Sequence, residues 1–464
     1  MSLSVVVLAA GEGKRFRSAL PKPLHPLAGR PLLWHVLAAT APLKSDRTVV
    51  VVGVGAEEVT AAAERFDVGP LEFAVQPEPR GTGDALAAAL PLLPRGGQVL
   101  VLYGDTPLVT TALLERLLEA HRSAQAAVTL LTCRPQDPSG YGRVLRDAGG
   151  AVTGVVEQRD ATPEQLAVGE VNAGFYVFER GVLDGLAELG RDHDQGECYL
   201  PDLVPLVRRD GGEVVAVPGP EEEAGGVNDR AELAAAAAVL RRRLLERLMA
   251  AGVTVVDPAT TFVDVDVAVG ADTVLQPLTF LEAGTRVGAR CELGPNVRLV
   301  GCTVDDGASV TQSLAVKAHI GAGALVGPFA YLRPGADLAR GSKVGTFVEV
   351  KQSRVGEGSK VPHLTYVGDA DIGAGVNVGA GTVFVNYDGI DKHRTTVGDG
   401  AFIGSDTMLV APLTVGDGAQ TAAGSTITKD VPPDALAIER SEQRTILGWA
   451  ARRRRRRRQQ EREQ

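Results

Sequence analysis

The residues best suited to chemistry open the chain. Leu8-Ala9-Ala10-Gly11-Glu12-Gly13-Lys14-Arg15 runs on from a short apolar stretch, Val5–Leu8. A Gly-rich turn at a strand end lets backbone N–H groups approach phosphate oxygens closely. Arg15 and Lys22, the latter set between Pro21 and Pro23, would neutralise a triphosphate. Two better-known phosphate motifs fail on residues. A dinucleotide G-x-G-x-x-G needs Gly where Phe16 stands, and no G-x-x-x-x-G-K-[ST] occurs. On spacing alone, a simple tight turn looks much the same.

A second apolar run ends in Leu102-Tyr103-Gly104-Asp105. A carboxylate there faces the crevice of an α/β sheet, where Mg²⁺ needs oxygen ligands. The competing reading is an Asp capping the helix after Thr106-Pro107. Gln76 and Gly81-Thr82 precede another helical stretch, and either contact a base and phosphate or only form the turn.

In the C-terminal half, Arg333, Lys351, His363, Tyr366, Asn377, Asn386 and Tyr387 gather in an otherwise aliphatic region. Acyl transfer to an amine needs a base, donors for the thioester oxyanion and cations for a substrate phosphate. His363 suits the base, with Arg333 and Lys351 as phosphate clamps. A lone His is more often structural, and only this company raises His363 above that reading.

Two kinds of element must position these groups. Val5–Leu8, Val49–Val52, Val99–Leu102, Val128–Leu131 and Phe175–Phe178 have strand length. Helical stretches such as Asp84–Leu93 and Leu113–Ala120 lie between several of them. This alternation predicts an α/β, Rossmann-like domain over residues 1–228 with a largely parallel sheet. Asp229 can cap the Ala/Leu/Arg-rich stretch Ala231–Ala250, which ends at Gly252, so residues 229–251 read as a linker helix.

From Gly252 an aliphatic-Gly pair recurs, as at Val287-Gly288, Leu293-Gly294, Ile320-Gly321 and Val326-Gly327, in steps of six, twelve and eighteen. This hexapeptide pattern predicts an all-β parallel β-helix over residues 252–437, three hexads to a triangular coil. The phase is broken in places. Val367-Gly368 to Ile372 is a step of five, and Val378 to Val397 is nineteen, with Asn386-Tyr387-Asp388-Gly389 between them. The insertion must loop out, either as a binding loop or a harmless one. Residues 438–464 form a C-terminal segment with an Arg-rich tail.

Composition agrees. There are 55 glycines in 464 residues and 4% aromatics, which suits tight turns around small aliphatic side chains. At 44% hydrophobic residues bulk disorder is excluded, and no Gly-X-Y period supports collagen. The net charge is −9, but the last thirteen residues hold eight Arg and two Glu, leaving about −15 on the rest. An acidic body argues against a dedicated nucleic-acid binder, and Arg452–Arg458 reads as a solvated, disordered tail. Four cysteines without a C-x-x-C pair indicate neither zinc nor disulfides and fit the cytoplasm. No apolar stretch has signal-peptide flanks or bilayer-spanning length.

The first motif resembles the L-A-A-G-x-G-T-R-M…P-K signature of sugar-1-phosphate nucleotidylyltransferases. With a β-helix behind it, the chain closely resembles the bacterial bifunctional N-acetylglucosamine-1-phosphate uridylyltransferases/glucosamine-1-phosphate N-acetyltransferases, over residues 3–448. Leu8, Ala9, Ala10, Gly11, Gly13, Arg15 and Lys22 match, while Lys14 and Phe16 stand where the family usually has Thr and Met. The resemblance implies a left-handed β-helix and UDP-N-acetylglucosamine as product. It places Leu8, Ala9, Ala10, Gly11, Lys22, Gln76, Gly81, Thr82, Tyr103, Gly104, Asp105, Gly142, Glu157, Asn172 and Asn228 on the sugar nucleotide, with Asp105 and Asn228 on Mg²⁺.

For acetyl transfer, the resemblance makes His363 the proton acceptor. Arg333, Lys351, Tyr366 and Asn377 contact the sugar phosphate. Ala380, Asn386, Tyr387, Ser405, Ala423 and Arg440 contact acetyl-CoA. Pro362 stands where the family has Ala or Gly. Relatives form homotrimers with acetyltransferase sites between adjacent β-helices, and serve peptidoglycan and lipopolysaccharide precursor synthesis. The rival readings are a single-activity nucleotidylyltransferase with a structural β-helix, and a non-catalytic sugar-nucleotide sensor. Asp105, Asn228, Arg15 and Lys22 speak against the sensor, and His363 with Asn386-Tyr387 against the single activity.

Overall fold

The computed structural model describes residues 2–189 and 197–463. The chain forms two compact units. One runs up to Arg247, and the other runs from Leu248 onward apart from Val263–Val265, which group with the first.

The first unit is built on one sheet. Its strands are β1 Leu3–Ala9, β2 Arg47–Val52, β3 Glu72–Val75, β4 Gln98–Tyr103, β5 Val128–Cys133, β6 Arg143–Arg146, β7 Val152–Val156, β8 Val171–Glu179 and β9 Val214–Pro218. The order is β9-β5-β8-β4-β1-β2-β3, with β6 and β7 a hairpin attached to β8. All neighbours in the main path are parallel except β8, which runs antiparallel to β4 and β5. Val5 and Val7 pack on one face with Leu33, Val36, Leu114 and Leu117, and Val6 and Leu8 pack on the other with Leu86, Leu203 and Val204. Strands covered on both faces read as continuous apolar runs, which is why five of them were legible in sequence. β3, β9 and the β6–β7 hairpin were not among the expected strands.

Chain connections run in opposite directions from the adjacent pair β1 and β4, and such a reversal opens a crevice at the strand ends. Leu8 lies opposite Tyr103 in that pair, so the Gly-rich turn and Asp105 leave the sheet side by side. The helix expected from Asp229 onward is Arg230–Ala250, and Asp229 Oδ1 accepts from the N–H groups of Ala231 (2.8 Å) and Glu232 (2.9 Å).

The second unit is a left-handed parallel β-helix. Three parallel sheets of eleven, ten and nine short strands run its length among the described residues. Each strand pairs with its counterpart one coil on, as in Tyr331↔Glu349 and Glu349↔Tyr366. Leu275, Leu281, Leu293, Leu299, Leu332, Val344 and Val361 point inward and are fully buried, beside an inner column of Ala308, Ala324, Ser342 and Ser359. Aliphatic and small side chains fill so narrow a coil, which accounts for the scarcity of rings. The expected insertion is present. Val383 pairs with Met408, 25 residues on, where the neighbouring pairs Tyr366↔Val383 and Met408↔Thr426 need 17 and 18.

One expectation is corrected. Arg452–Arg458 is not a disordered tail but part of the helix Trp449–Glu463. Arginine is a strong helix former, and Arg457 reaches Glu461 one turn on at 2.9 Å. The run is nevertheless fully solvent-facing, as expected.

Candidate active sites

At the crevice of the first unit lies a cavity of about 600 Å³. Leu8, Ala10, Gly11, Arg15, Gln76, Gly81, Thr82, Tyr103, Asp105, Gly142, Glu157, Asn172 and Asn228 line it. Ala9, Gly104 and Lys22 do not line it. Ala9 sits in the core behind the wall, and Gly104 packs against it.

Tertiary contacts decide the polar geometry. Val227 N–H donates to the Asp105 carbonyl at 2.8 Å, which seats Asn228 beside the Asp105 side chain. The Lys22 ammonium donates to both Asp105 Oδ2 and Asn228 Oδ1, the latter at 2.9 Å. Lys22 gets there by a close pass. A Cβ on Gly13, where φ is +61°, would stand 2.7 Å from the Lys22 Cβ, so only glycine leaves room. The two expected metal ligands thus converge on one point, as two hard oxygens around a small cation would. Among the described residues no group of three or more His, Cys, Asp and Glu offers a fuller protein cage. Mg²⁺ usually takes few protein oxygens and completes its shell with phosphates and water, so the donor set fits.

The capping alternative for Asp105 is excluded. The next helix, Thr111–Ser123, is capped by Thr110, whose Oγ1 accepts from Leu113 N–H at 3.2 Å. Gln76 is both turn former and cavity wall. Its Nε2 donates to the Gly81 carbonyl (3.1 Å) and Asp84 Oδ2 (2.9 Å), so Oε1 is what it offers a ligand. Asn172 is held by Tyr176 Oη (2.6 Å) and Gly174 N–H (3.1 Å). Burial, with Glu157 nearby, pushes the Tyr103 hydroxyl well above its ordinary pKa, so it stays protonated. The two departures from the signature have distinct places. Phe16 is buried against Leu27, Leu32, Leu108 and Val227, whereas Lys14 points into solvent and pairs with Glu12.

In the second unit the expected residues fall on successive coils. Arg333 and Asn386 directly follow the strands Tyr331–Leu332 and Val383–Val385 of one sheet, Lys351 ends its strand Glu349–Lys351, and Tyr366 opens the strand Tyr366–Gly368. Arg333 is paired with Glu349 at 2.8 Å. His363 ends the strand Lys360–His363 of the adjoining sheet, at the corner before Tyr366. Its side chain is exposed and makes no hydrogen bond among the described residues. Asn377 lies in that adjoining sheet, in register with Lys360.

Ala380, Ser405 and Ala423 stack as a column at one corner. The Ala380 carbonyl accepts from Asp406 N–H (2.7 Å), the Ser405 carbonyl from Gly424 N–H (2.8 Å), and the Ala423 carbonyl from Arg440 (3.0 Å). Tyr387 stands exposed in the inserted loop.

Sequence reasoning missed Asp369. It accepts from Lys351 Nζ at 3.1 Å and from Asn386 Nδ2. The one available signal was the five-residue step after Val367-Gly368, the break in phase at which Asp369 sits.

The MobA-like NTP transferase domain family matches residues 5–198. A "Bifunctional protein GlmU" of Thermobifida fusca is 54% identical over 456 residues, covering 97% of this chain and 94% of that protein. Its counterpart in Streptomyces coelicolor is 51% identical over 455 residues, with 97% and 94% covered. That of Mycolicibacterium vanbaalenii is 50% identical over 459 residues, with 97% and 93% covered. With an NTP-transferase sheet, a hexapeptide β-helix and half of all residues shared over nearly full length, the chain belongs to the bifunctional GlmU family.

Proposed function

We propose that this chain makes UDP-N-acetylglucosamine by two successive transfers. Residues 252–437 move the acetyl group of acetyl-CoA to glucosamine 1-phosphate, and residues 1–228 couple the product to UTP with release of pyrophosphate. Residues 229–251 link the two. The observation that carries the reading is the convergence of Asp105 and Asn228 on the Lys22 ammonium at a cavity walled by the Gly-rich turn.

In uridylyl transfer the sugar phosphate attacks the α-phosphorus and pyrophosphate leaves, so no protein nucleophile is required. Mg²⁺, held by Asp105 and Asn228, supplies charge neutralisation when bound. Arg15 and Lys22 bring the remaining positive charge, and the turn at Gly11 brings backbone donors. Gln76 Oε1 suits the imide N–H of uracil. Gly142, Glu157 and Asn172 surround the sugar.

In acetyl transfer the amine of glucosamine 1-phosphate attacks the thioester carbonyl. A C–N bond forms, the C–S bond breaks, His363 takes the amine proton, and coenzyme A leaves as its thiol once protonated. Arg333, Lys351, Tyr366 and Asn377 hold the sugar phosphate. Ala380, Asn386, Tyr387, Ser405, Ala423 and Arg440 hold acetyl-CoA.

A homotrimer is supported by an apolar column beside His363. Phe329 and Phe347 stack at 5.4 Å and are 52% and 59% exposed, and Leu364 above them is 62% exposed. Such a patch favours burial against another copy of the chain. We assign the reaction to the cytoplasm, with which four cysteines that form no disulfide agree. No described helix is long and apolar enough to cross a membrane.

The test is direct. Purified protein is given glucosamine 1-phosphate, acetyl-CoA, UTP and Mg²⁺, and the product is identified by mass. UDP-N-acetylglucosamine should form only with all four present. If it forms from supplied N-acetylglucosamine 1-phosphate and UTP but never from glucosamine 1-phosphate with acetyl-CoA, the chain is a single-activity nucleotidylyltransferase.

A further inference from the structure

The acetyl-transfer residues divide into a sugar-phosphate group and an acetyl-CoA group, and one carboxylate touches a member of each. Asp369 Oδ2 accepts from Lys351 Nζ at 3.1 Å and from Asn386 Nδ2, with Oδ1 3.5 Å from the same ammonium. Both charged side chains are shielded, Lys351 at 14% and Asp369 at 17% exposure. An ammonium so enclosed needs a counter-charge in the absence of a substrate phosphate.

The carboxylate is itself fixed from both sides. Asp369 N–H donates to the Lys351 carbonyl (3.1 Å) and its carbonyl accepts from Thr395 N–H (3.2 Å), which ties its backbone to the coils on either side. It adopts φ +48°, a left-handed conformation that Asp tolerates better than most residues.

Asn386 is oriented by the same contact. Its Nδ2 donates to Asp369 and lies 3.4 Å from Tyr366 Oη, so both amide hydrogens are committed. A ligand therefore meets Asn386 through Oδ1, as a donor. The neighbouring position leaves no slack, because a Cβ on Gly368 would stand 2.5 Å from Tyr366 Oη and 2.7 Å from Asn386 Nδ2.

We propose that Asp369 is a positioning residue for acetyl transfer, its single carboxylate fixing the Lys351 ammonium and the Asn386 amide so that the sugar-phosphate and acetyl-CoA subsites are set together. This rests on the acetyltransferase reading of the β-helix. Asp369 itself moves no proton. It acts through the two groups it holds, and its loss loosens both at once.

The experiment compares full-length wild type with Asp369→Asn and Asn386→Ala, measuring acetyl-transfer kinetics, uridylyl transfer from supplied N-acetylglucosamine 1-phosphate, and size in solution. Asp369→Asn should keep uridylyl transfer and size. It should raise KM for both glucosamine 1-phosphate and acetyl-CoA and lower kcat/KM by up to about 100-fold, the cost of misplacing binding groups by about an ångström. Asn386→Ala should raise KM for glucosamine 1-phosphate as well as for acetyl-CoA, because Asp369 relays the loss to Lys351.

A folded Asp369→Asn with wild-type KM for both substrates overturns the proposal. Should Asp369→Asn fail to fold, Asn386→Ala decides it, and an unchanged KM for glucosamine 1-phosphate overturns it. No acetyl transfer by the wild-type protein overturns the underlying activity itself.

Discussion

Asp105→Asn tests the nucleotidyl site most sharply, because the side chain keeps its shape and loses its charge. Lys22 is 11% exposed and Asp105 25%, so their ion pair lies between a buried and a surface pair. Breaking a buried pair costs about 3–5 kcal/mol and an exposed one about 0–1 kcal/mol, which puts this change at about 1–3 kcal/mol of local stability. The uncompensated Lys22 ammonium keeps Asn228 Oδ1 at 2.9 Å. The catalytic loss is larger. One of two protein oxygens at the converging point becomes neutral, and removing one preorganised electrostatic group typically costs about 10²–10³ in rate. Pyrophosphate release is measured against Mg²⁺ concentration, with acetyl transfer in the same preparation as the folding control. Uridylyl transfer should fall by that factor and require more Mg²⁺, while acetyl transfer stays at the wild-type rate. A wild-type uridylyl rate with unchanged Mg²⁺ dependence would refute the role given to Asp105.

Three further outcomes are expected. His363→Ala should lower acetyl transfer by about 10²- to 10⁴-fold and leave uridylyl transfer and size in solution intact; an unchanged rate removes His363 as the base. His319 lies between Asp305 (2.9 Å) and Asp337 (2.7 Å), and although burial opposes its charge, the two carboxylates outweigh it and raise its pKa. Its stabilisation, at most about 1 kcal/mol for so exposed a group, is complete below about pH 6.5 and is lost as pH rises through the raised value. The gap in unfolding temperature between wild type and His319→Gln should therefore shrink from about pH 6 to pH 8.5, and a constant gap would contradict this. Deleting Arg452–Gln464 should leave both activities unchanged, since the assigned contacts end at Arg440; a large loss of acetyl transfer would place the Arg-rich helix at the acetyl-CoA site.

The two architectures were legible because each has a local cause. Strands buried on both faces must be apolar throughout, which exposed β1, β2, β4, β5 and β8. β6 and β7, with Arg143, Arg146 and Gly154 among their residues, carry no such run and were missed. The hexad repeat is a property of the chain itself, since each coil needs its inward aliphatic and its small turn residue at fixed steps. The Gly-rich turn, Asp105 and His363 could be picked out by residue type and company.

Contacts made across long stretches of chain belong to the tertiary structure. Lys22 reaches Asp105 and Asn228 over 83 and 206 residues, and the pairing of β1 with β4, together with the Val227 N–H on the Asp105 carbonyl, brings them to one point. The choice between a cap and a ligand at Asp105 was open until Thr110 was seen to cap the following helix. In the tail, seven like charges in a row argued for disorder, and helix propensity with the Arg457–Glu461 pair prevailed. Asp369 is the clearest case. Its partners lie 18 and 17 residues away, one coil back and one coil on; the eighteen-residue repeat sets the coil length, but only the stacked structure shows which side chains meet across it.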